Sequence, residues 1–234
     1  KPNTNELWVL NYGTSNGSSH VIFFNAGTSD QTSQYRKDTH SGHFLLYGTS
    51  FAFGDSSEWA GLSEIQNTNS FTPTFMGPAL WWGDTNIYAK VFQNNWLNGY
   101  PLGSHIDMLH QSPFGMGIAH DSLKVYWVLD GYNGNICRYD FVRDHGPGYD
   151  DHGAGKIWRY TDIPFGMTGN IPSHCILDRS SRWLYYIDGA SKQLRRLNTA
   201  SGTLSGNLSA PSTAPEPLAG YYRMLGADLD TLFT

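Results

Sequence analysis

The segment Gly103–Phe141, GSHIDMLHQSPFGMGIAHDSLKVYWVLDGYNGNICRYDF, decides the fold of this chain. It contains three short runs of β-forming residues, Met116–His120, Lys124–Leu129 and Asn135–Phe141, which are separated by turn residues. Three strands within about 25 residues, each bounded by turn signals, are typical of one blade of a β-propeller. The segment therefore predicts an all-β fold built from radially arranged sheets.

The same pattern recurs at four places in the chain. An apolar run ends in an aspartate, a short polar turn follows, and a second apolar run comes next. The aspartates are Asp55, Asp84, Asp121 and Asp178. An aspartate at this place can hydrogen-bond the backbone of the turn, so its position needs no functional explanation. We expect one propeller domain over residues 1–234, with the N- and C-terminal segments closing the ring.

Composition and charge restrict the function classes. The 234 residues are 39% hydrophobic and 15% charged, with a net charge of −5, which is typical of a globular, turn-rich protein. The chain has no long basic run, which argues against nucleic-acid binding. A transmembrane helix needs about 20 apolar residues in a row, and no apolar run in this chain approaches that length. The N-terminal residues also lack the apolar stretch of a signal peptide.

Two cysteines, Cys137 and Cys175, are the whole thiol content of the chain. They can pair in an oxidising compartment or remain two separate buried thiols. The sequence leaves both alternatives open.

The two later copies of the pattern resemble NHL repeats. In the first, Pro113 precedes the run that ends at Asp121, and an apolar run with a central tyrosine then ends in Asp130-Gly131. The same order recurs between Pro172 and Gly189. This resemblance implies a β-propeller of about six blades.

A narrower resemblance covers roughly residues 36–200. The motifs RKD, HF, AFGD, FMGPALW, GSHIDMLH, MGIAHD, GYNG, RYDF and DHGPGYDDH occur in this order. Together they resemble the surface-associated copper-binding proteins of methane-oxidising bacteria, the MopE/CorA type. The resemblance implies a copper-binding protein that is secreted, held peripherally at the outer cell surface, or periplasmic. It also implies that the protein binds metal without catalysing a reaction.

The resemblance also implies a set of metal ligands. In the copper-binding members two histidines hold the metal, and in some a tryptophan oxidised to kynurenine, two residues before the first histidine, joins them. Carried over to this chain, the first histidine is His43 and the tryptophan position is Ser41. This chain therefore lacks the Trp-x-His signature at that point, and His40, water or another residue would have to fill the place of the kynurenine. The second histidine falls on His105 or His110.

Repeat spacing gives a separate argument about the second histidine. His43 lies eight residues before Phe51, and His110 lies eight residues before Ile118. Both reference residues belong to first strands, which line the channel of a propeller, so we expect the lead-in loops to converge at one channel mouth. Imidazoles suit copper or zinc better than calcium or magnesium. We therefore favour His43 and His110 as ligands, with His105 as a third ligand or a neighbour of the ligands.

Further residues extend this hypothesis. Asp107 is the carboxylate that would orient a ligating imidazole. The Asp-, His- and Gly-rich segment 144–155 offers Asp144, Asp150 and Asp151 for calcium, although a polar surface loop explains the same composition.

Two other functions compete with copper binding. NHL propellers include zinc-dependent amidating lyases, and His43, His110 and His174 would supply such a set of zinc ligands. A propeller that binds proteins or glycans through exposed tryptophans and tyrosines needs no metal. For the favoured function we expect a metal ion as a partner and a monomeric protein.

Overall fold

The structure is a computed structural model that describes residues 1–14, 16–64, 76–90, 103–144, 146, 153–169, 171–210 and 218–234. These residues form seventeen strands and one short helix, α1. The prediction of an all-β fold is therefore confirmed. The strands of the first two sheets are β1 (Glu6–Thr14), β2 (Gly17–Phe24), β3 (Thr32–Arg36), β4 (Gly48–Phe53), β5 (Glu58–Ser63), β6 (Ala79–Trp82) and β7 (His105–Met108), with α1 at Ser41–Phe44. The remaining strands are β8 (Gly115–Ser122), β9 (Val125–Asp130), β10 (Asn135–Asp140), β11 (Lys156–Pro164), β12 (Cys175–Asp178), β13 (Trp183–Asp188), β14 (Gln193–Asn198), β15 (Thr203–Asn207), β16 (Gly220–Leu225) and β17 (Leu229–Phe233).

The strands make four sheets, arranged as the blades of a propeller. Blade 1 is β1-β2-β3, blade 2 is β4-β5-β6-β7, blade 3 is β8-β9-β10-β11-β16-β15, and blade 4 is β12-β13-β14-β17. The first strands lie next to one another, since β4 contacts β1 and β8, and β8 contacts β12. The propeller is confirmed, but the expected count of about six blades is wrong for the described residues, which form four.

The difference in blade number has a clear cause within blade 2. The run Ala79–Trp82 has the apolar-then-aspartate pattern of a first strand, but it is β6, the third strand of blade 2. It pairs antiparallel with β5, with Trp81 opposite Trp59. Two of the four sequence copies therefore belong to a single sheet.

The blades are held together by three apolar clusters. The first, between blades 1 and 2, contains Trp8, Ile22, Trp59 and Trp81. The second lies between blades 2 and 3 and the third between blades 3 and 4. Strand alternation explains this arrangement, because successive side chains of each central strand point to opposite faces and each face meets a neighbouring blade.

The outer faces of the two end blades carry exposed apolar side chains. On blade 1, Leu7 and Tyr35 are 54% and 64% exposed, and on blade 4, Ile176 and Phe233 are 69% and 70% exposed. The N-terminal strands form blade 1 alone, whereas the C-terminal β17 pairs with β14. Pairing between the two ends of the chain is thus absent from the part of the chain that the structure describes.

The segment that decided the fold forms the strands expected of it. Its three predicted runs are β8, β9 and β10. The lead-in, predicted as a loop, instead contains β7 at His105–Met108, the outermost strand of blade 2. Cys137 and Cys175 are both free thiols, and they pack in different apolar clusters. In the described ranges no helix is long and apolar enough to span a membrane.

Candidate metal centre

His43 lies in the four-residue helix α1, which connects blade 1 to blade 2. The backbone N–H of His43 donates to the carbonyl of His40 at 2.9 Å, and the hydroxyl of Ser41 donates to the carbonyl of Asp38 at 2.8 Å. Ser41 is buried and His43 is half-buried. The residue at the expected tryptophan position therefore stabilises the turn that begins the helix.

His105 lies in β7 and is fully buried. In the sheet register it stands opposite Trp81 of β6, and the two rings meet edge to face with centroids 5.9 Å apart. It belongs to the side of blade 2 that packs against blade 1. This burial could not be predicted from the sequence, because β7 is only four residues long and contains the charged residue Asp107.

The Phe44 ring contacts both His43 and His105. The Phe44 ring stacks on the His105 imidazole with centroids 3.8 Å apart and an interplanar angle of 8°. The same ring meets the His43 imidazole edge to face at 4.4 Å. Two histidines that are 62 positions apart in the chain thus contact one phenyl ring.

A buried carboxylate, Asp38, ties α1 to β7. Its Oδ1 accepts a hydrogen bond from the backbone N–H of His40 at 2.9 Å. Its Oδ2 accepts from both the backbone N–H and the hydroxyl of Ser104, at 2.9 and 2.5 Å. Because Ser104 directly precedes His105, Asp38 fixes the distance between the two histidine-bearing segments. Burial raises the pKa of Asp38, and the hydrogen bonds from Ser104 and His40 act in the opposite direction.

Sequence reasoning overlooked Asp38. The motif RKD contains it, but nothing in the local pattern distinguishes a buried carboxylate from a surface one. The one usable sign was the Gly103-Ser104 pair ahead of the second histidine motif. A Cβ at Gly103 would lie 2.1 Å from Asp38 Oδ1, so a side chain there would collide with the carboxylate.

The other predicted site residues of this region lie further along the chain. His110 comes two residues after the end of β7 and is buried, and its carbonyl oxygen accepts a hydrogen bond from the Tyr139 hydroxyl at 3.2 Å. Asp107 is also buried, and its Oδ1 accepts from the N–H of Met108 at 2.7 Å. Within the described ranges, no group of three or more His, Cys, Asp or Glu side chains is arranged to hold a metal.

The proposed calcium segment falls largely outside the described residues. Asp150, Asp151, His145 and His152 are all among the residues that the structure does not describe. Asp144 is described, and it makes an ion pair with the Lys124 ammonium at 2.7 Å. The calcium hypothesis stays a prediction.

His174 lines a central cavity of about 600 Å³. Residues of β1, β4 and β8 form the other walls, among them Leu10, Phe51 and Ile118. Neither His43 nor His110 is among the described residues that line this cavity. The set of three histidines expected for a zinc enzyme is therefore not gathered around it.

His120 joins three blades. Its Nε2 is 2.8 Å from the carbonyl oxygen of Leu123, and its Nδ1 is hydrogen-bonded to the Arg179 guanidinium. Arg179 in turn pairs with Asp55 at 2.9 Å. Burial lowers the pKa of His120. These contacts are those of a structural histidine.

Comparison with known proteins leaves the resemblance untested. No family model matches the sequence, and no curated protein matches it. The likeness to copper-binding surface proteins and to NHL repeats therefore stays a prediction that rests on the motifs themselves.

Proposed function

We propose that this protein binds one copper ion through His43 and His105 and serves to capture copper outside the cytoplasm, by secretion, at the cell surface or in the periplasm. The observation that carries the proposal is the contact of both imidazoles with the Phe44 ring. Imidazole nitrogens suit copper, and Cu(I) accepts a low coordination number. Two histidines with one weak additional ligand are sufficient for such a site.

The surroundings of the two histidines favour a pre-formed site. His105 is held by stacking on Phe44 and by its edge contact with Trp81. The Asp38 hydrogen bonds hold the two segments at a fixed spacing. His43 is the more accessible of the pair, so a metal would reach the site from the side of α1. His110 is the alternative second ligand that the repeat spacing favours.

Copper titration of histidine variants tests this proposal. Protein purified without added metal is titrated with Cu(I) against a competing chelator. We expect one copper per chain, and at least a tenfold loss of affinity in His43→Ala and in His105→Asn. His174→Ala is the matched control, because this histidine lies in the central cavity, and it should bind as the wild type does. Near-ultraviolet circular dichroism checks that His105→Asn keeps its aromatic packing.

Three outcomes would overturn the assignment. Unchanged copper affinity in His43→Ala removes the site altogether. Loss in His110→Ala with no loss in His105→Asn moves the second ligand to the position that repeat spacing favoured. Zinc-dependent lyase activity that disappears in His174→Ala replaces copper capture with the enzyme alternative.

A further inference from the structure

A concave site separate from α1 and β7 lies between blades 3 and 4. The cleft has a volume of about 440 Å³. Blade 3 contributes Arg138, Trp158 and Tyr160, and blade 4 contributes Arg182 and the turn that follows β14. None of these residues takes part in the proposed copper site.

The negative charge of the cleft is already neutralised. Among the described lining residues Asp121 alone is acidic. Its Oδ1 and Oδ2 accept hydrogen bonds from the Arg182 guanidinium at 2.7 and 2.8 Å, and its Oδ2 also accepts from Trp127 Nε1 at 2.9 Å. Burial acts to raise the pKa of Asp121, but the hydrogen bonds from Arg182 and Trp127 outweigh it and lower that pKa. Asp121 therefore stays ionised and cancels the charge of Arg182.

Of the two arginines among the described lining residues, Arg138 is the one whose charge Asp121 does not neutralise by an ion pair. Its side chain stands beside Trp158 in the register of β10 and β11, and its guanidinium carbon lies 4.6 Å from the centroid of that ring. Stacking uses the flat face of the guanidinium and leaves its N–H edge free to donate. In the described part of the chain, no carboxylate lies within ion-pair distance of Arg138.

The cleft also provides a neutral donor and an apolar wall. Burial raises the pKa of Tyr160, so its hydroxyl stays protonated and can donate. Met224 and the Trp158 ring supply apolar surface. A planar guanidinium with a free edge matches the two oxygens of a carboxylate in bidentate geometry. We propose that this cleft binds the carboxylate of a small organic ligand, with Arg138 as the anchoring residue and Tyr160 as a second donor.

Titration of metal-free protein with three probes tests the proposal. Glycolate represents a free organic acid, glucuronate represents an acidic sugar, and glucose is the neutral control. Side-chain N–H signals of Arg138 and Trp158 are followed by nuclear magnetic resonance. We expect saturable shifts with the two acids and none with glucose, and weaker binding as the salt concentration rises. Tighter binding of glucuronate than of glycolate identifies an acidic sugar as the preferred source, and the reverse order identifies a free acid.

Two arginine variants make the test specific. Arg138→Gln should weaken binding of the acids by at least about tenfold, because the charged donor pair is lost. Arg196→Gln is the matched control, since Arg196 also stacks on a tryptophan, Trp183, at 4.1 Å, but its guanidinium is already bonded to Asp230 at 2.8 Å. That variant should bind as the wild type does. The proposal is overturned if glucose binds as well as glucuronate, if neither acid gives a saturable shift, or if both arginine variants behave alike.

Discussion

Among the described histidines outside the proposed copper site, His20 is the most deeply buried. It is fully buried in β2, with its Nδ1 2.8 Å from the Tyr88 hydroxyl. Its ring is packed edge to face against Phe51 and Trp59, at 4.9 and 4.8 Å. Burial lowers the pKa of His20 to about 3. The folded protein therefore keeps this imidazole neutral well below the pH at which an exposed histidine is protonated.

Because His20 stays neutral in the folded protein, we expect the free energy of unfolding to fall in acid. The unfolded chain binds a proton at this position below about pH 6.5, whereas the folded chain does so only near pH 3. Between these values the unfolded state is favoured by up to about 1.4 kcal/mol for each unit by which the pH is lowered. In His20→Phe this contribution disappears. Urea unfolding at several pH values from 7 to 4 should show a smaller loss of stability in the variant.

Tyr88→Phe is the control for this experiment. It removes the hydroxyl that faces His20 but keeps the buried imidazole, so it should lose stability in acid as steeply as the wild type. Equal acid sensitivity in His20→Phe and the wild type would show that His20 is protonated in the folded state.

Individual site residues could be predicted from the sequence only in part. The motifs singled out His43, His105 and His110, and the structure places two of them on one phenyl ring. Spacing favoured His110, but equal distance from a first strand does not give equal surroundings, and the choice between His105 and His110 stays a prediction. His110 follows a strand that the sequence did not reveal, and Phe44, which joins the other two, looked like an ordinary apolar residue.

At the scale of elements, the carboxylate of Asp38 joins the segments that lead into α1 and β7. Asp38 accepts hydrogen bonds from the segment ahead of α1 and from Ser104 ahead of β7. None of these hydrogen bonds joins the Asp38 carboxylate to the imidazole of His43 or His105. In the proposed copper site Asp38 would therefore be a positioning residue and not a ligand.

Replacing Asp38 should weaken copper binding without removing a ligand. In Asp38→Ala both segments lose their common acceptor, so His43 and His105 become less well aligned and we expect roughly a tenfold loss of Cu(I) affinity. Chelator competition measures this loss, and Ser104→Ala, which removes one hydrogen bond only, should give a smaller one. Copper affinity equal to that of the wild type in Asp38→Ala would show that the two histidines are aligned by the Phe44 contact alone.

Elements were predicted well where the strands were long and poorly where they were short. The runs that became β8, β9 and β10 have six to eight residues and clear turns between them. The four-residue strands β6 and β7 were both predicted wrongly, the first in its place in the sheet and the second in its secondary structure. The pattern of Ala79–Trp82 predicts the first strand of a new blade, and the pattern around His105 predicts a loop where β7 forms. The strands that pair with β6 and β7 decide the structure of both segments, and local sequence does not reveal these partners.

At the scale of the whole molecule, a buried ionic network connects blade 3 to the chain segment that arrives from blade 2. Arg159 of β11 bonds the Asp130 carboxylate at 2.7 Å and the carbonyl of Gln111, in the segment after β7, at 2.6 Å. It also reaches the hydroxyl of Tyr221 in β16 at 2.7 Å. Both charged side chains are almost completely buried, with 4% and 0% exposure. One guanidinium thus connects three strands of blade 3 to the chain that arrives from blade 2.

Breaking this network should destabilise the whole propeller. Arg159→Met leaves the Asp130 carboxylate buried without its cation, and removing one partner of a buried ion pair costs about 3–5 kcal/mol. Adding Asp130→Asn removes the uncompensated charge, so the double variant should recover part of that loss. Urea unfolding of the two single variants and the double variant gives the coupling energy directly. The partly exposed pair between Arg196 and Asp230 is the control, and its removal should change stability little, because water reaches both groups. If Arg159→Met unfolded at the same urea concentration as the wild type, the apolar clusters between blades would be sufficient to hold blades 2 and 3 together.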